Sequence, residues 1–173
     1  MIDNVEIRPA LPSDAPAIES LYPRAFPDED LVPLVRDLRG SAAIAFVALS
    51  ENDLVGHAAF TPCSIAGRPE KVGLVGPVAV APDRQRQGIG SALLHAGLGH
   101  LSGTGTCRVY VLGDPAYYSR FGFESDEAVT PPYPLPEDWR GAWQSLGLSA
   151  HAPALRGRLS VPEIWRREAL WVS

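Results

Sequence analysis

Cysteine is scarce in this chain: Cys63 and Cys107 are the only two among 173 residues. That number and spacing exclude a disulfide framework and a zinc-ligand cluster. Both lie among apolar or small neighbours and read as buried core thiols. The four histidines, His57, His95, His100 and His151, lack ligand spacing, and His95 and His100 fall on different faces of a helix. No metal is expected. No apolar run is long enough to span a bilayer. The opening stretch, MIDNVEIRPA, is charged and has no apolar core, so it does not read as a signal peptide. A cytoplasmic protein without a membrane partner is the expectation. Positive charge is also short, with 15 basic against 20 acidic residues and a net charge of −5. No basic field is present to gather nucleic acid. Charge runs and internal repeats are absent.

What is present is ordinary globular material: 46% apolar and 20% charged residues. A chain of this length suits one domain and buries roughly 70% of its unfolded surface. Seventeen prolines and sixteen glycines imply many turns.

The most informative stretch runs from Leu74 to Leu94. Leu74, Val75, Val78, Ala79 and Val80 form an apolar run of strand length, stopped by Pro82 and Asp83. Arg84-Gln85-Arg86-Gln87-Gly88-Ile89-Gly90 follows, and from Ser91 to Leu101 the apolar residues Leu94, Leu98 and Leu101 keep helical spacing. Strand, glycine-containing loop and helix therefore come in order. The free N–H groups and dipole of a helix N-terminus favour an anion. Gly88 and Gly90 allow a phosphate to approach the backbone, and Arg84 and Arg86 add positive charge. The stretch reads as a pyrophosphate cradle. It is not a Walker loop, because no Lys-Ser/Thr follows Gly90. It fits a dinucleotide fingerprint poorly, since Leu93 stands at the third glycine and Arg108 where an acid is required.

Around this centre the pattern predicts a strand at Val5–Arg8, a helix capped by Ser13 or Asp14 and ended by Pro27, and a second helix from Asp30 to Leu38. Strands at Ile44–Leu49 and Leu54–Phe60 are joined by Ser50-Glu51-Asn52-Asp53, and a turn at Ala66–Pro69 leads to the central strand. Beyond the central helix come a strand at Cys107–Leu112, a short helix with Pro115 first, a stop at Gly122 and a strand from Phe123. Proline-rich 130–136 is an extended connector. Trp139 and Trp143 are read as sharing one helix face, and Leu155–Val161 as a one-sided strand. The whole of 1–173 is taken as one domain, with a core at about 5–128 and a C-terminal extension at 129–173.

The run Val80-x-Pro82-Asp83-x-Gln85-x-x-Gly88-x-Gly90-x-Ala92-Leu93 resembles the acetyl-CoA motif, Q/R-x-x-G-x-G/A, of the GNAT superfamily of N-acetyltransferases. Tyr118-Ser119-Arg120-Phe121-Gly122-Phe123 resembles that family's Y-x-x-x-G-F. The longer run Val111 to Phe123 is similar to one bacterial branch, the YhbS-like acetyltransferases. The resemblance implies an α/β (α+β) fold: a mixed, mostly antiparallel sheet flanked by helices, with acetyl-CoA bound at the splayed middle strands. It implies transfer of an acetyl group from acetyl-CoA to a primary amine by direct attack in a ternary complex. Under it, Val78, Ala79, Val80, Arg84, Gln85, Arg86, Gln87, Gly88, Ile89, Gly90, Ser91 and Tyr118 bind the donor. The amide of Val78 or Ala79 polarises the carbonyl oxygen, and Tyr118 protonates the thiolate.

A phenol of ordinary acidity lies close enough to a thiol for such a proton exchange. Tyr117 is its rival, but neighbours on a helix diverge by about 100°. A packing role for the Tyr118 ring is the alternative. For the base, Leu74, Val75 and Gly76 stand where many relatives carry a glutamate, which leaves His57 or, through water, Glu29, Asp30 or Glu70. That gap also keeps open a non-catalytic acyl-CoA-binding module of the same fold. The acceptor is a small-molecule or peptide amine. Trp139, Trp143, Trp165 and Trp171 are candidates for the core, a pocket or a homodimer contact.

Overall fold

The computed structural model describes residues 4–172; the first three residues of the charged N-terminal stretch lie outside it. The chain forms two compact units, Met1–Thr61 with Gly76–His100, and Pro62–Val75 with Leu101–Ser173. Each carries part of a mixed, mostly antiparallel sheet with helices, the expected fold class. No described helix is long and apolar enough to cross a membrane.

In the first unit β1 (Val5–Pro9) pairs antiparallel with β2 (Ile44–Ser50), and β2 with β3 (Asp53–Ile65). The β2–β3 hairpin closes through Glu51 and Asn52, both left-handed at φ 51° and 71°, the geometry of a two-residue turn. Helices α1 (Ala15–Ala25) and α2 (Val32–Arg39) follow β1. The second helix starts later than expected from its acids, because Pro33 occupies its first turn, where no N–H is needed. The second half of β4 (Val72–Val80) and most of α3 (Ile89–Gly103) complete this unit.

Alternation along β3 sorts its two faces. Val55, His57 and Ala59 take one, and Gly56, Ala58 and Phe60 the other. Helix α3 packs on the second. A Cβ at Gly56 would stand 3.0 Å from both Ile89 and Leu93, and the Phe60 ring occupies the space a Cβ at Gly97 would need. These two glycines let α3 close onto the strand, burying Ile89, Leu93 and Leu94 and fixing where the helix begins.

In the second unit β4 pairs in parallel with β5 (Arg108–Leu112), from Val72↔Arg108 to Val75↔Val111. On the far side of β5 lies a strand missed by the sequence reading. In chain order β6 (Glu124–Ser125), β7 (Val129–Thr130), β8 (Trp143–Gly147) and β9 (Gly157–Ser160) follow, and β8 sits antiparallel between β5 and β6. Trp143 opens this strand, whereas Trp139 lies in a 3-10 turn, so the two share no helix face. Trp143, Trp165 and Trp171 are buried, and Trp139 is half-exposed. The indole N–H groups explain the arrangement: Trp143 donates to Val129 O at 2.8 Å and Trp171 to Trp165 O at 3.0 Å. Trp143, Trp165 and Trp171 belong to the core of the second unit, and Trp143 also lines a cavity there with Val129 and Tyr133.

Cys63, inside β3, and Cys107, just before β5, are half-buried rather than core thiols, although burial still pushes the Cys63 thiol up to about 12. Strand β3 runs five residues past Phe60 because Ser64 and Ile65 pair with Ser160 and Leu159 of β9. The last strand is shorter than 155–161, being held only at its paired positions.

Candidate functional site

The strand, loop and helix of the 74–94 stretch stand as expected. Strand β4 ends at Val80, Pro82–Arg84 make one 3-10 turn, and α3 begins at Ile89. Arg86 (φ 64°) and Gly88 (φ 86°) are left-handed, and both are exposed. Gly88 is the residue before the helix: its carbonyl accepts the amide of Ala92 at 3.0 Å, the first intrahelical bond. The N–H groups of Ile89, Gly90 and Ser91 therefore have no helical partner and point out of the helix start. The loop's own side chains hold its shape. Gln85 Nε2 donates to Val80 O at 3.2 Å, and Arg84 Nε donates to Gln87 Oε1 at 3.1 Å. Arg84 and Arg86 place two cations beside these amides. Backbone donors, a left-handed glycine and nearby guanidiniums are what an anion requires.

Strand β4 supplies a second set of main-chain donors in the same unit. Ala81 N–H donates to Val55 O of β3 at 2.8 Å. By the two-residue period Ala79 N–H faces β3 as well, and the amides of Val78 and Val80 face away from it. Consistent with this, Val80 O is taken from that far side by Gln85. The β4–β5 ladder ends at Val75↔Val111 among the described residues. Immediately beyond, the Gly76–Pro77 peptide is cis and Gly76 has φ 129°.

In the second unit Tyr118 ends α4 (Pro115–Tyr118), whose first turn is capped by the Asp114 carboxylate accepting from Ala116 N at 2.9 Å. Gly122, at φ 95°, stops the following 3-10 turn. The Tyr118 ring lies against Tyr117 (5.0 Å between centroids) and Phe123 (5.6 Å), and covers Gly113 so closely that no Cβ would fit there. Gln144, 1% exposed, donates to the carbonyls of Gly113 and Ala142 and so steadies the loop that the ring covers. The Tyr118 hydroxyl has no hydrogen-bond partner among the described residues. Burial, with a smaller contribution from Tyr117, pushes its pKa up. The phenol therefore stays protonated and is a weaker acid than the ordinary value used in the sequence argument.

The base candidates do not gather. Glu29 and Asp30 are exposed, and Arg68 pairs with Glu70 at 3.0 Å and lowers its pKa. His57 is 3% exposed, and desolvation holds it down to about 4. Its partner escaped the sequence reading: Tyr22, placed there on the apolar stripe of α1, brings its hydroxyl within 2.6 Å of His57 Nδ1 and 3.4 Å of Pro77 O. Tyr22 sits at helical spacing among Ile18 and Leu21, so only its hydroxyl could have announced the bond. No group of three metal-ligating side chains occurs among the described residues.

Residues 15–123 match the family profile described as the acetyltransferase (GNAT) family. The chain is 35% identical over 156 residues to the uncharacterized N-acetyltransferase YjhQ of Escherichia coli, covering 85% of this chain and 86% of that protein. It is 39% identical over 121 residues to the E. coli N-acetyltransferase YhbS, 68% of this chain and 72% of that one. The crystal structure of YhbS in complex with CoA superimposes with a TM-score of 0.87 at 31% identity, covering 95% and 93% of the two chains. A GNAT acetyltransferase from Brucella melitensis in complex with acetyl-CoA gives a TM-score of 0.77 at 29% identity over 93% and 97%.

Proposed function

The chain belongs to the acetyltransferase (GNAT) family, and from that premise we propose that it moves the acetyl group of acetyl-CoA to a primary amine by direct attack. The observation that carries the reading is the cradle: three unpartnered helix amides behind a left-handed Gly88, with Arg84 and Arg86 alongside. The whole of 1–173 acts as one catalytic chain in the cytoplasm, and the acceptor is a small molecule or a peptide. The CoA and acetyl-CoA seen in the YhbS and Brucella structures support the choice of donor.

Acetyl-CoA supplies the activated acetyl group. The amides of 88–91 and the two arginines hold its pyrophosphate, with Gln85 and Gln87 keeping the loop in shape. Of the two amides expected to polarise the carbonyl oxygen, Val78 is the better placed, because Ala79 N–H is directed at β3. As the amine nitrogen bonds to the carbonyl carbon and the carbon–sulfur bond breaks, sulfur gains charge and needs a donor. Tyr118 offers a protonated phenol whose hydroxyl is uncommitted. It meets the developing thiolate first as a hydrogen-bond donor, and its proton passes to sulfur as the bond parts. The proton that the amine nitrogen gives up, relayed through solvent, restores the phenol, so no charge is left on Tyr118.

Of the base candidates, His57 is buried and held near 4 and Glu70 is paired with Arg68, so neither is assigned to the amine. Reaction therefore draws on the free-base fraction, below 1% at neutral pH for a lysine-like amine. The test is a panel of polyamines, amino acids, aminoglycosides and peptides, each assayed for free thiol released from acetyl-CoA. An accepted amine should show kcat/KM rising about tenfold per pH unit below its own pKa. Thiol release with no member of the panel, and none by slow hydrolysis, would reduce the chain to an acyl-CoA-binding module.

A further inference from the structure

The first unit contains a cavity of about 520 Å³ on the sheet face opposite α3. Its floor is formed by β2 and β3 and its walls by Ile18 of α1 and Val35 and Leu38 of α2. The floor is low for a definite reason. Ala45 and Ala59 stand directly opposite each other in the β2–β3 register, at positions that under two helices ordinarily carry a large aliphatic side chain. The next pair along is Val47↔His57. Interiors pack to crystal density, and a void of this size forgoes contacts along all its walls. Two methyl-only side chains side by side keep the space open.

His57 is the polar group of this lining that lies deepest, 3% exposed. Its Nδ1 is 2.6 Å from the Tyr22 hydroxyl, a separation typical of a strong O–H···N bond, whereas Pro77 O at 3.4 Å is too distant to compete for the hydroxyl proton. When the Tyr22 O–H donates to Nδ1, that nitrogen is the acceptor and the neutral imidazole carries its one proton on Nε2, the tautomer on which the inference rests. That N–H has no partner among the described residues. Burial keeps the ring neutral, so it offers one donor and no charge. Arg36 and Arg39 also line the cavity, and both are neutralised by Glu19, at 2.6 and 2.9 Å.

We propose that this cavity is a second binding site, distinct from the acetyl-donor cradle, for a small uncharged molecule with an apolar body and one carbonyl-type acceptor, which accepts the His57 Nε2 proton. Its volume lies within the range of ordinary small-molecule sites. The claim is independent of acetyl transfer, because it rests on the cavity, the Ala45–Ala59 pair and the Tyr22–His57 bond alone.

The full chain, labelled with ¹⁵N histidine, is titrated with cyclohexanone and separately with cyclohexane, which has the same body and no acceptor. Imidazole ¹H–¹⁵N correlation spectra report the position of the ring proton and any shift of Nε2. The expected results are a proton on Nε2 in the free protein and a saturable Nε2 shift with cyclohexanone. Cyclohexane should bind about fivefold more weakly, the worth of one neutral hydrogen bond. Ala59→Phe, which fills the floor, should abolish the shift without lowering the melting temperature, and Ala45→Leu serves the same purpose if that variant misfolds. A ring proton on Nδ1, no saturable shift, or an unchanged shift in the filled variants would each overturn the site.

Discussion

The loop of 82–91 and the corner around Tyr118 present polar groups in opposite ways. In the loop the donors are main-chain amides, left in the open by a helix that starts at Ile89 and by a glycine with φ 86°. Side chains there are exposed props, with Gln85 and Arg84 bonding within the loop. At the corner the donor is one side chain, and its surroundings are rings: Tyr117, Phe123 and a glycine too close for any Cβ. Main-chain donors need no particular residue to supply them, only residues that permit the backbone path. A side-chain donor needs one residue type and a packed frame to aim it. Damage to the loop should thus come from what is added, and damage to the corner from what is removed.

The largest effect should follow from adding a carboxylate to the loop. Gly88→Glu places like charge against the pyrophosphate and forces a left-handed φ on a residue that resists it. Loss of one or two charge-assisted hydrogen bonds corresponds to at least about 100-fold in acetyl-CoA affinity. Calorimetric titration measures it, and Gly88→Ala, which carries the backbone strain without the charge, should lose much less. Equal affinity in wild type and Gly88→Glu would mean that these glycines serve packing alone.

A polar side chain buried more deeply than Tyr118 sharpens the contrast. His57 is held neutral by desolvation, with its pKa down to about 4 from 6.5. The unfolded chain takes up this proton near pH 6.5 and the folded one only near 4. Between those values the unfolded state binds more protons, so stability falls as the pH drops. The total is roughly 3 kcal/mol, complete below pH 4. Urea unfolding from pH 7 to 4 should show that slope in the wild type and its absence in His57→Gln. Parallel profiles would mean that His57 is hydrated in the folded protein.

Much of this contrast was legible in the sequence, and the reason is the same physics. Gly88 at a left-handed position and Gly90 at the start of α3, with Gln85 ahead of them, made the loop recognisable, whereas the left-handed Arg86 carried no such signal. The corner had to contain Asp114-Pro115 to start a short helix and Gly122 to end it. The Tyr22–His57 bond was hidden because Tyr22 also satisfies an apolar stripe. Strand β8 was hidden because Trp143-Gln144-Ser145-Leu146-Gly147 does not alternate: Gln144 is buried to bond Gly113 O, and Ser145 to bond Asp126. Polar residues recruited to hold neighbouring loops erase the period by which a strand is recognised.

At the corner, removing one atom should suffice. Tyr118→Phe keeps the ring contacts with Tyr117 and Phe123 and deletes the hydroxyl. Turnover should fall roughly 10- to 100-fold with acetyl-CoA affinity little changed, the mark of a group acting in the transition state. Since the hydroxyl has no partner among the described residues, the melting temperature should hold. A lower melting temperature with full turnover per folded molecule would make the ring a packing element.

The smallest effect should come from removing a prop of the loop. Gln85 does not lie among the amides of the cradle; it ties the loop to the end of β4 through Val80 O at 3.2 Å. Gln85→Ala breaks one exposed, neutral hydrogen bond, worth about 0.5–1.5 kcal/mol, and leaves every main-chain donor in place. Acetyl-CoA affinity should weaken only about 2- to 10-fold, with kcat unchanged once the donor saturates. Gln87→Ala should cost about as much, because it removes the bond that Gln87 Oε1 accepts from Arg84 Nε at 3.1 Å. The ratio of the two losses, read by titration at one salt concentration, sharpens the comparison: if Gln85→Ala matched Gly88→Glu, Gln85 would have to touch the donor itself. The loop would then rely, as the Tyr118 corner does, on a side chain.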